Sequence, residues 1–268
     1  CQDDLHLFFG CPLTLRHGSF PPCFIAPILP CRLSGLLWGQ YTSRDGLPLL
    51  WFSKEWSLAF VHFIELLTEA AAQPEAIEVY PPFTAYMTTI NDFLNVYLYF
   101  EDGIKRLFPG SKIMICNRNK AAQRDMKFLI SSADDLEQLC DAIAKYQLDL
   151  RIGLDVSQLL ETEAYHARYM GDDKIRLLFG KVKDFRDYIS GIHVLGKMRG
   201  AEGRKRANSE DFDSMFGHSR NKKRAFLESL PFVFDDEVAR YFVPEITGGI
   251  DRINSVVRDL QSAGFLFY

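Results

Sequence analysis

The sequence predicts an α/β protein that folds as a single (β/α)8 TIM barrel. Short apolar segments alternate about seven times with segments of helical periodicity along the 268 residues. Most apolar segments lack the two-residue alternation of a half-exposed strand, which is typical of parallel strands buried on both faces. At this length, and with no evident linker, a closed barrel fits better than an open doubly wound sheet. We expect one domain over residues 1–268, with residues 11–47 as an irregular N-terminal insertion.

Six apolar segments are predicted to be strands. They are 5–10, 76–81, 112–118, 148–158, 189–197 and 240–246. The segment KIMICNR shows the pattern well, because it is apolar from Ile113 to Cys116 and then breaks into Asn117 and Arg118. No Gly-x-Gly-x-x-Gly motif follows the first strand, and neither a P-loop nor a Gly-x-Ser-x-Gly motif occurs. The sequence therefore does not indicate a dinucleotide site.

Six helices are predicted between and after these strands. They cover 54–71, the segment after Thr89 up to about Leu107, 134–146, 174–188, 222–230 and 250–263. Ser53 is placed to cap the first helix, in which apolar residues recur at helical spacing. Thr89 with Asp92, and Ser132 with Asp135, have the spacing of a capping box, which satisfies the free amides of a first turn.

Composition and charge exclude several classes of protein. The net charge of −4 and the pI near 5.9 argue against a strongly basic nucleic-acid-binding protein, although a local patch can still bind nucleic acid. No stretch supplies the roughly 18 apolar residues of a membrane-spanning helix, and no signal peptide is evident. The six cysteines form no Cys-x-x-Cys pair, which is typical of buried thiols in a reducing compartment. We therefore expect a cytoplasmic protein with no membrane partner.

Polar residues follow the apolar runs at the C-terminal ends of the predicted strands. In a barrel these ends line the mouth that carries function. Asp155, His193 and Glu245 come from three different strands, and this set suits a divalent ion such as Mn²⁺ or Zn²⁺. Two simpler interpretations remain open, since a histidine on an apolar strand is often a core residue and an aspartate after a strand often caps the next helix.

Seven segments together resemble the endonuclease IV branch of the xylose-isomerase-like TIM barrels. They are IEVYP, ICNR, FLISSADDLEQL, GLDVSQL, GIHVLGK, ANSEDFDSMF and RYFVPEI. The resemblance covers roughly residues 50–268 and rests on the order and spacing of the segments rather than on one decisive motif. It implies a barrel whose mouth holds a metal cluster for phosphodiester cleavage at abasic sites in DNA. Related sugar isomerases and epimerases use a smaller set of ligands.

The resemblance implies a metal site that is only partly retained. The positions that match the family are Asp155, His193, Asp211 and Glu245. The departures are Tyr80, Gln158 and Asn208, where the family has histidines, and Cys116, where it has a glutamate. A cluster of several ions needs most of these ligands, so the resemblance implies fewer ions here.

One divalent ion is still expected at this reduced site. Asp155, His193 and Glu245 would hold it and carry the catalysis, with Asp211 or Cys116 completing the shell. A thiolate ligand would favour Zn²⁺ over Mn²⁺.

A basic segment follows the predicted strand that carries His193. Residues 197–224 contain nine lysines and arginines against four acidic residues, a local balance of +5. We expect the first five basic residues of this segment to contact the backbone of a nucleic acid such as DNA. They are Lys197, Arg199, Arg204, Lys205 and Arg206. A solvated, mobile loop with no ligand is the competing interpretation.

Three hypotheses for function follow from the sequence. The first is a metal-dependent endonuclease or phosphodiesterase of endonuclease IV type that works with a reduced metal site. The second is a non-catalytic relative that keeps the barrel and binds nucleic acid or protein. The third is a single-metal sugar isomerase or epimerase, which ranks last because it needs a carboxylate where Cys116 stands and gives the basic segment no role.

Overall fold

The computed structural model describes eight α-helices, two short 3-10 helices and eight strands in the part of the chain that it covers. The described residues are 6–8, 50–68, 73–119, 127–164, 167–195, 197–199, 206–208, 211–245 and 249–267. The strands are β1 (His6–Phe8), β2 (Ala76–Val79), β3 (Lys112–Cys116), β4 (Arg151–Asp155), β5 (Ile189–Val194), β6 (Lys197–Arg199), β7 (Arg206–Asn208) and β8 (Tyr241–Pro244). The helices are α1 (Lys54–Thr68), α2 (Ile90–Leu107), α3 (Ala133–Tyr146), α4 (Val156–Ala164), α5 (Asp172–Asp184), α6 (Phe212–Met215), α7 (Arg220–Val233) and α8 (Ile250–Ser262). The predicted insertion at 11–47 lies outside the described residues.

Five parallel strands form the central sheet, which confirms the predicted α/β class. The strand order is β1-β2-β3-β4-β5-β8. Neighbouring strands from β2 to β5 pair in parallel, and so do β5 and β8. These strands curl into a half-barrel. The sixth strand, β1, pairs antiparallel with β2, whereas a strand of a (β/α)8 barrel would run parallel to it. Eight parallel strands are not found among the described residues, so a complete barrel stays a prediction.

Local backbone geometry explains where the structure departs from the predicted elements. The predicted strand 189–197 ends at Val194, because Leu195 has a φ of 65°, a left-handed conformation that a strand cannot continue through. The basic segment after it is not wholly a loop, since β6 and β7 pair antiparallel as a separate two-stranded ribbon. The predicted strand 148–158 likewise stops at Asp155, where α4 begins directly.

Capping residues define the first turns of two helices as predicted. The Thr89 hydroxyl accepts a hydrogen bond from the Asp92 amide at the start of α2. A complete capping box joins Ser132 and Asp135 at the start of α3. Both caps satisfy amides that have no partner inside a helix, and they define where α2 and α3 begin.

An aromatic cluster centred on Trp51 connects the outer helices to the end of β2. Trp51 is fully buried and lies 4.9–6.0 Å, between ring centroids, from Trp56, Phe60, Phe93, Tyr97 and Phe100. These rings come from the loop before α1, from α1 and from α2. Its indole Nε1 donates a 2.6 Å hydrogen bond to the backbone carbonyl of Tyr80, so the cluster holds the residue that follows β2 in place.

Arg240, the residue before β8, links the start of β8 to the start of β5. Its side chain is only 2% exposed and donates to three backbone carbonyls, those of Ile189, Arg186 and Val238. Two further hydrogen bonds, 2.7 and 2.5 Å long, reach the two carboxylate oxygens of Asp236. The guanidinium is thus neutralised and saturated inside the protein, as a buried charge must be.

No helix in the described part of the chain is long and apolar enough to cross a membrane.

Replacing Arg240 by leucine should lower the free energy of unfolding by about 3–5 kcal/mol, because it removes the charged donor that serves the Asp236 carboxylate and three backbone carbonyls. Urea unfolding measures this loss. The matched control is Arg258→Leu, since Arg258 is exposed and bonds only its own helix. The control should change stability by less than about 0.5 kcal/mol. Equal effects of the two substitutions would contradict the role given to Arg240.

Candidate metal centre

His193 lies between two carboxylates inside the curled sheet. Its Nε2 is 2.5 Å from Oε2 of Glu78, and its Nδ1 is 3.1 Å from Oε1 of Glu245. His193 belongs to β5, Glu78 to β2, and Glu245 follows β8 directly. Since β3 and β4 lie between β2 and β5 in the sheet, Glu78 and His193 meet only because the sheet curls. The contact therefore lies in the interior of the half-barrel.

A glycine on β4 provides the space for the Glu78 carboxylate. A Cβ atom at Gly153 would lie 2.9 Å from Oε2 of Glu78, a distance at which the carboxylate would have to move. Gly153 pairs with Cys116 on one side and with Gly191 on the other. The absence of a side chain at this position is thus part of how the centre is built.

Cys116 joins Glu78 and His193 in a group that offers oxygen, sulfur and nitrogen ligand atoms. All three side chains are buried, and the three ligand atoms lie within 4.8 Å of one another. Burial, followed by the negative charge of Glu78, raises the pKa of the Cys116 thiol well above its usual value. Without an ion the thiol therefore stays neutral. A thiol, an imidazole and one carboxylate form a set that Zn²⁺ accepts.

The charge on His193 is set by its two carboxylate neighbours. Burial alone would lower the pKa of the imidazole, but the negative charge of Glu78 and the hydrogen bonds to Glu245 and Glu78 outweigh it and raise the pKa to about 10. Without an ion the ring is therefore an imidazolium at neutral pH. Its Nε2–H donates to Glu78 and its Nδ1–H donates to Glu245. An ion that binds Nε2 would displace one of these protons.

The donor atoms are of the kinds that zinc accepts, and the contact between Glu78 and His193 is shorter than two zinc ligands require. Two zinc ligands with bonds of about 2.0–2.1 Å lie about 3.3 Å apart at a tetrahedral angle. The 2.5 Å contact between Glu78 and His193 would have to widen by about 0.8 Å. Glu245 would keep its place, because a metal-bound histidine usually donates its other N–H to a carboxylate. Three protein ligands leave a fourth position open.

Asp155 is held beside this group by its backbone and by one carboxylate oxygen. Asn117 donates to the Asp155 carbonyl at 3.0 Å and accepts from the Asp155 amide at 2.8 Å. Oδ1 accepts from the amide of Gln158 and so caps α4, which is the simpler role that the sequence left open for this residue. Burial and then the charge of Glu245 raise the pKa of Asp155 to about 7, although Arg118 and His193 oppose them.

The other oxygen of Asp155 faces Arg118. Oδ2 is 3.6 Å from NH1 of Arg118, which is an ion pair but too long for a hydrogen bond. The guanidinium lies over the Tyr80 ring, 4.0 Å from its centroid, and donates a hydrogen bond to the Tyr80 hydroxyl. The Arg118 side chain is 18% exposed, as is that of Glu245, so these two groups border the opening of the centre.

The structure brings together some of the residues predicted for the site. Cys116, His193 and Glu245 form one group, and Asp155 stands next to it. Asp211 is engaged elsewhere, since it caps α6 through the amide of Ser214 and accepts a 2.6 Å hydrogen bond from Arg252. Its predicted role as a metal ligand stays a prediction that this arrangement does not support.

The residues predicted to contact nucleic acid are described only in part. The backbone pairs Lys197 with Asn208 and Arg199 with Arg206 across the ribbon of β6 and β7. Arg204 and Lys205 lie outside the described residues. The departures from the family pattern at Tyr80 and Gln158 have local partners. Tyr80 contacts Arg118, and the Gln158 side chain accepts a hydrogen bond from the amide of Asn119.

Sequence reasoning missed three features of this centre. Glu78 lies inside the predicted strand 76–81 and was not assigned as a ligand, although a carboxylate inside a buried apolar strand is itself a signal. Gly153 carries no signal by itself, because its importance depends on a side chain two strands away. Arg118 follows a strand end as well, but its pairing with Asp155 across β3 and β4 needs the tertiary structure.

Comparisons with known proteins show a shared fold. No protein-family model and no curated protein matches the sequence. Among solved structures, AsfvAP, described in "The crystal structure of AsfvAP:AG", aligns with a TM-score of 0.52 and 13% identity over 76% of this chain and 68% of that chain. The xylose isomerase domain protein from Planctomyces limnophilus aligns with a TM-score of 0.40 and 14% identity, over 78% of this chain and 62% of its own length. The chain thus has an α/β fold similar to that of AsfvAP.

Replacing Gly153 by alanine should lower the free energy of unfolding by about 1–3 kcal/mol, because the new methyl group pushes Glu78 away from His193. Urea unfolding measures the change. The control is Gly180→Ala on α5, where a Cβ meets nothing within 4 Å and helix propensity favours alanine by up to about 1 kcal/mol. A Gly153→Ala protein as stable as the wild type would show that Glu78 has room to move freely.

Proposed function

We propose that this chain is a metal-dependent phosphodiesterase of endonuclease IV type that acts on DNA with a single divalent ion, Zn²⁺. The observation that carries the proposal is the buried group of Glu78, Cys116 and His193 at the ends of three parallel strands. The fold similarity to AsfvAP, an AP endonuclease-like protein, supports the same class. The complete barrel and the single-domain organisation expected from the sequence belong to this proposal.

The donor atoms determine the number and kind of ion. One thiol, one imidazole and one carboxylate supply three ligands, which is the usual complement of a catalytic zinc site with an open fourth position. At such a site the ion lowers the pKa of bound water to about 7 and so supplies a nucleophile for hydrolysis at neutral pH.

The residues around the ligands have separate tasks in this proposal. Glu245 accepts a hydrogen bond from Nδ1–H of His193 and so keeps Nε2 directed toward Glu78 and Cys116. Gly153 leaves the space in which Glu78 reaches the centre. Arg118 and Glu245 are the partly exposed groups at the opening, so a phosphodiester that enters would approach along their side.

The ribbon of β6 and β7 is the proposed contact to the DNA backbone. Its basic residues follow directly after β5, the strand that carries His193, and the ribbon lies beside α4. Contacts to phosphates position a protein on a duplex without reading its sequence. Such contacts would place an abasic site near the centre, and this role agrees with the local excess of positive charge in residues 197–224.

A second candidate function is a non-catalytic relative that binds nucleic acid or protein. One observation favours it: Glu78, Cys116, Asp155 and His193 are each at most 1% exposed, so no ligand atom of the centre is open to solvent. A hydrolase needs water and substrate to reach the ion. The two candidates differ in whether an ion binds and whether a duplex is cleaved.

The wild-type protein should bind one Zn²⁺ per chain, measured by elemental analysis after dialysis, and should cleave a duplex that contains an abasic site. Cys116→Ser should weaken zinc binding by about 10–100-fold and reduce cleavage in parallel, because a hydroxyl is a poor substitute for a thiolate. The control is Cys140→Ser, since Cys140 is the other buried free thiol among the described residues. A wild-type protein without bound ion and without cleavage would contradict the proposal, and DNA binding alone would favour the second candidate.

Replacing Lys197, Arg199 and Arg206 together by glutamine should weaken binding to DNA of any sequence. If each residue contacts one phosphate, the slope of log K against log salt concentration should fall in magnitude by about 2.7, since each contact contributes about 0.9. Fluorescence anisotropy at several salt concentrations measures the slope. The control replaces Lys174, Arg176 and Lys181 on α5 and should leave it unchanged. Equal slopes for all three proteins would remove the ribbon from the interface.

A further inference from the structure

The centre contains more negative than positive groups. Glu78, Asp155 and Glu245 contribute three carboxyl groups. Among the described residues, the His193 imidazole lies between Glu78 and Glu245, and the Arg118 guanidinium lies beside Asp155. When a divalent ion takes Nε2 of His193, Arg118 remains the described cation that faces Asp155. The position of Arg118 therefore bears directly on how many ions the centre takes.

Arg118 is held in place by groups that do not depend on an ion. Its guanidinium lies 4.0 Å from the centroid of the Tyr80 ring and donates to the Tyr80 hydroxyl. Tyr80 is in turn fixed by the hydrogen bond from Trp51, the centre of the aromatic cluster. A guanidinium stays charged at any pH a protein survives, so this is a permanent positive charge at a fixed place.

The carboxylate of Asp155 is fixed from the opposite side. The Asn117 side chain donates to the Asp155 backbone carbonyl and accepts from the Asp155 backbone amide. The Gln158 amide donates to Oδ1. Oδ2 is buried, accepts no hydrogen bond from the described residues, and has the Arg118 charge 3.6 Å away. A buried carboxylate oxygen in this state is stabilised by charge alone, and a metal ion could replace that charge.

We propose that Arg118 is a permanent counter-ion of Asp155 and thereby limits the centre to one divalent ion. The first ion, at Glu78, Cys116 and His193, rests on the proposed function. Without the guanidinium, Oδ2 of Asp155 loses its counter-charge and becomes available as a ligand of a second ion. Asp155 is therefore a counter-ion of Arg118 in this chain and not a ligand of the first ion.

Zinc uptake distinguishes this role from simple packing on Tyr80. After dialysis against Zn²⁺ and removal of free ion, native mass spectrometry counts the ions in each folded variant. Arg118→Lys keeps the charge and should take one ion, as the wild type does. Arg118→Gln should take two, and adding Asp155→Asn to it should return the number to one. The control Arg176→Gln, on α5, removes an exposed arginine paired with Glu228 and should take one.

The numbers of ions taken by the wild type and by Arg118→Gln test the proposed function and this inference separately. Uptake of one ion by both the wild type and Arg118→Gln overturns the inference and leaves the proposed function standing. A wild type that takes no ion, with an Arg118→Gln protein that takes one through Asp155, supports the inference and overturns the proposed function. Uptake by neither protein overturns both.

A second measurement applies if Arg118→Gln does not fold. In the otherwise unchanged chain, Asp155→Asn should change zinc affinity by less than about threefold, because Arg118 already occupies that carboxylate. A loss of about tenfold or more, the usual effect of removing a group that acts on a bound metal, would make Asp155 a ligand and overturn the inference.

Discussion

The contact between Glu78 and His193 is the constraint on which the rest of the centre depends. It joins β2 to β5 across the interior of the half-barrel, with two strands of the sheet between them. A buried ion pair is stable only when both partners have further hydrogen bonds, because removal from water costs each charge several kcal/mol. Glu245 supplies such a bond to His193, and Gly153 leaves the room for Glu78. The curl of the sheet and the charges inside it therefore support each other.

The cysteine at position 116 is consistent with this balance of charge. A glutamate there, as the family resemblance implies, would add a fourth carboxylate to Glu78, Asp155 and Glu245. The raised pKa of the Cys116 thiol keeps it neutral in the absence of an ion, so the site is stable with two cationic side chains. A thiol also becomes an anionic ligand when a zinc ion arrives. A cysteine here thus keeps the negative charge of the centre lower than a glutamate would, while it still offers a ligand atom beside Glu78 and His193.

The sequence predicted the parts of the fold that depend on local patterns. The caps at Thr89 and Ser132 and the five parallel strands follow from residue type and apolar runs. The end of β5 could not be predicted, because it depends on the positive φ of Leu195, a residue type that rarely adopts it. The antiparallel direction of β1 depends on pairing with β2, which is a tertiary property.

The candidate site was predictable to a lesser extent, since it depends on distances between strands. Residue types at strand ends pointed to Cys116, Asp155, His193 and Glu245, whereas Asp211 was a candidate only through the family resemblance. Both aspartates cap a helix: Asp155 caps α4, and Asp211 caps α6 while it bonds Arg252. A carboxylate that follows a strand has two competing uses, and the spacing to the next helix is the same for both. Only the position of a guanidinium or an imidazole beside it separates them.

Access to the centre is controlled by the same residues that set its charge. The ligand atoms are buried, while Arg118 and Glu245 retain 18% exposure at the opening. Under the proposed function, a phosphodiester at this opening would meet the Arg118 cation and the Glu245 anion side by side. If its phosphate paired with the Arg118 guanidinium, Asp155 would lose part of its counter-charge, because one guanidinium cannot fully neutralise two anions. The proposal therefore implies that substrate binding and ion binding are coupled through Arg118.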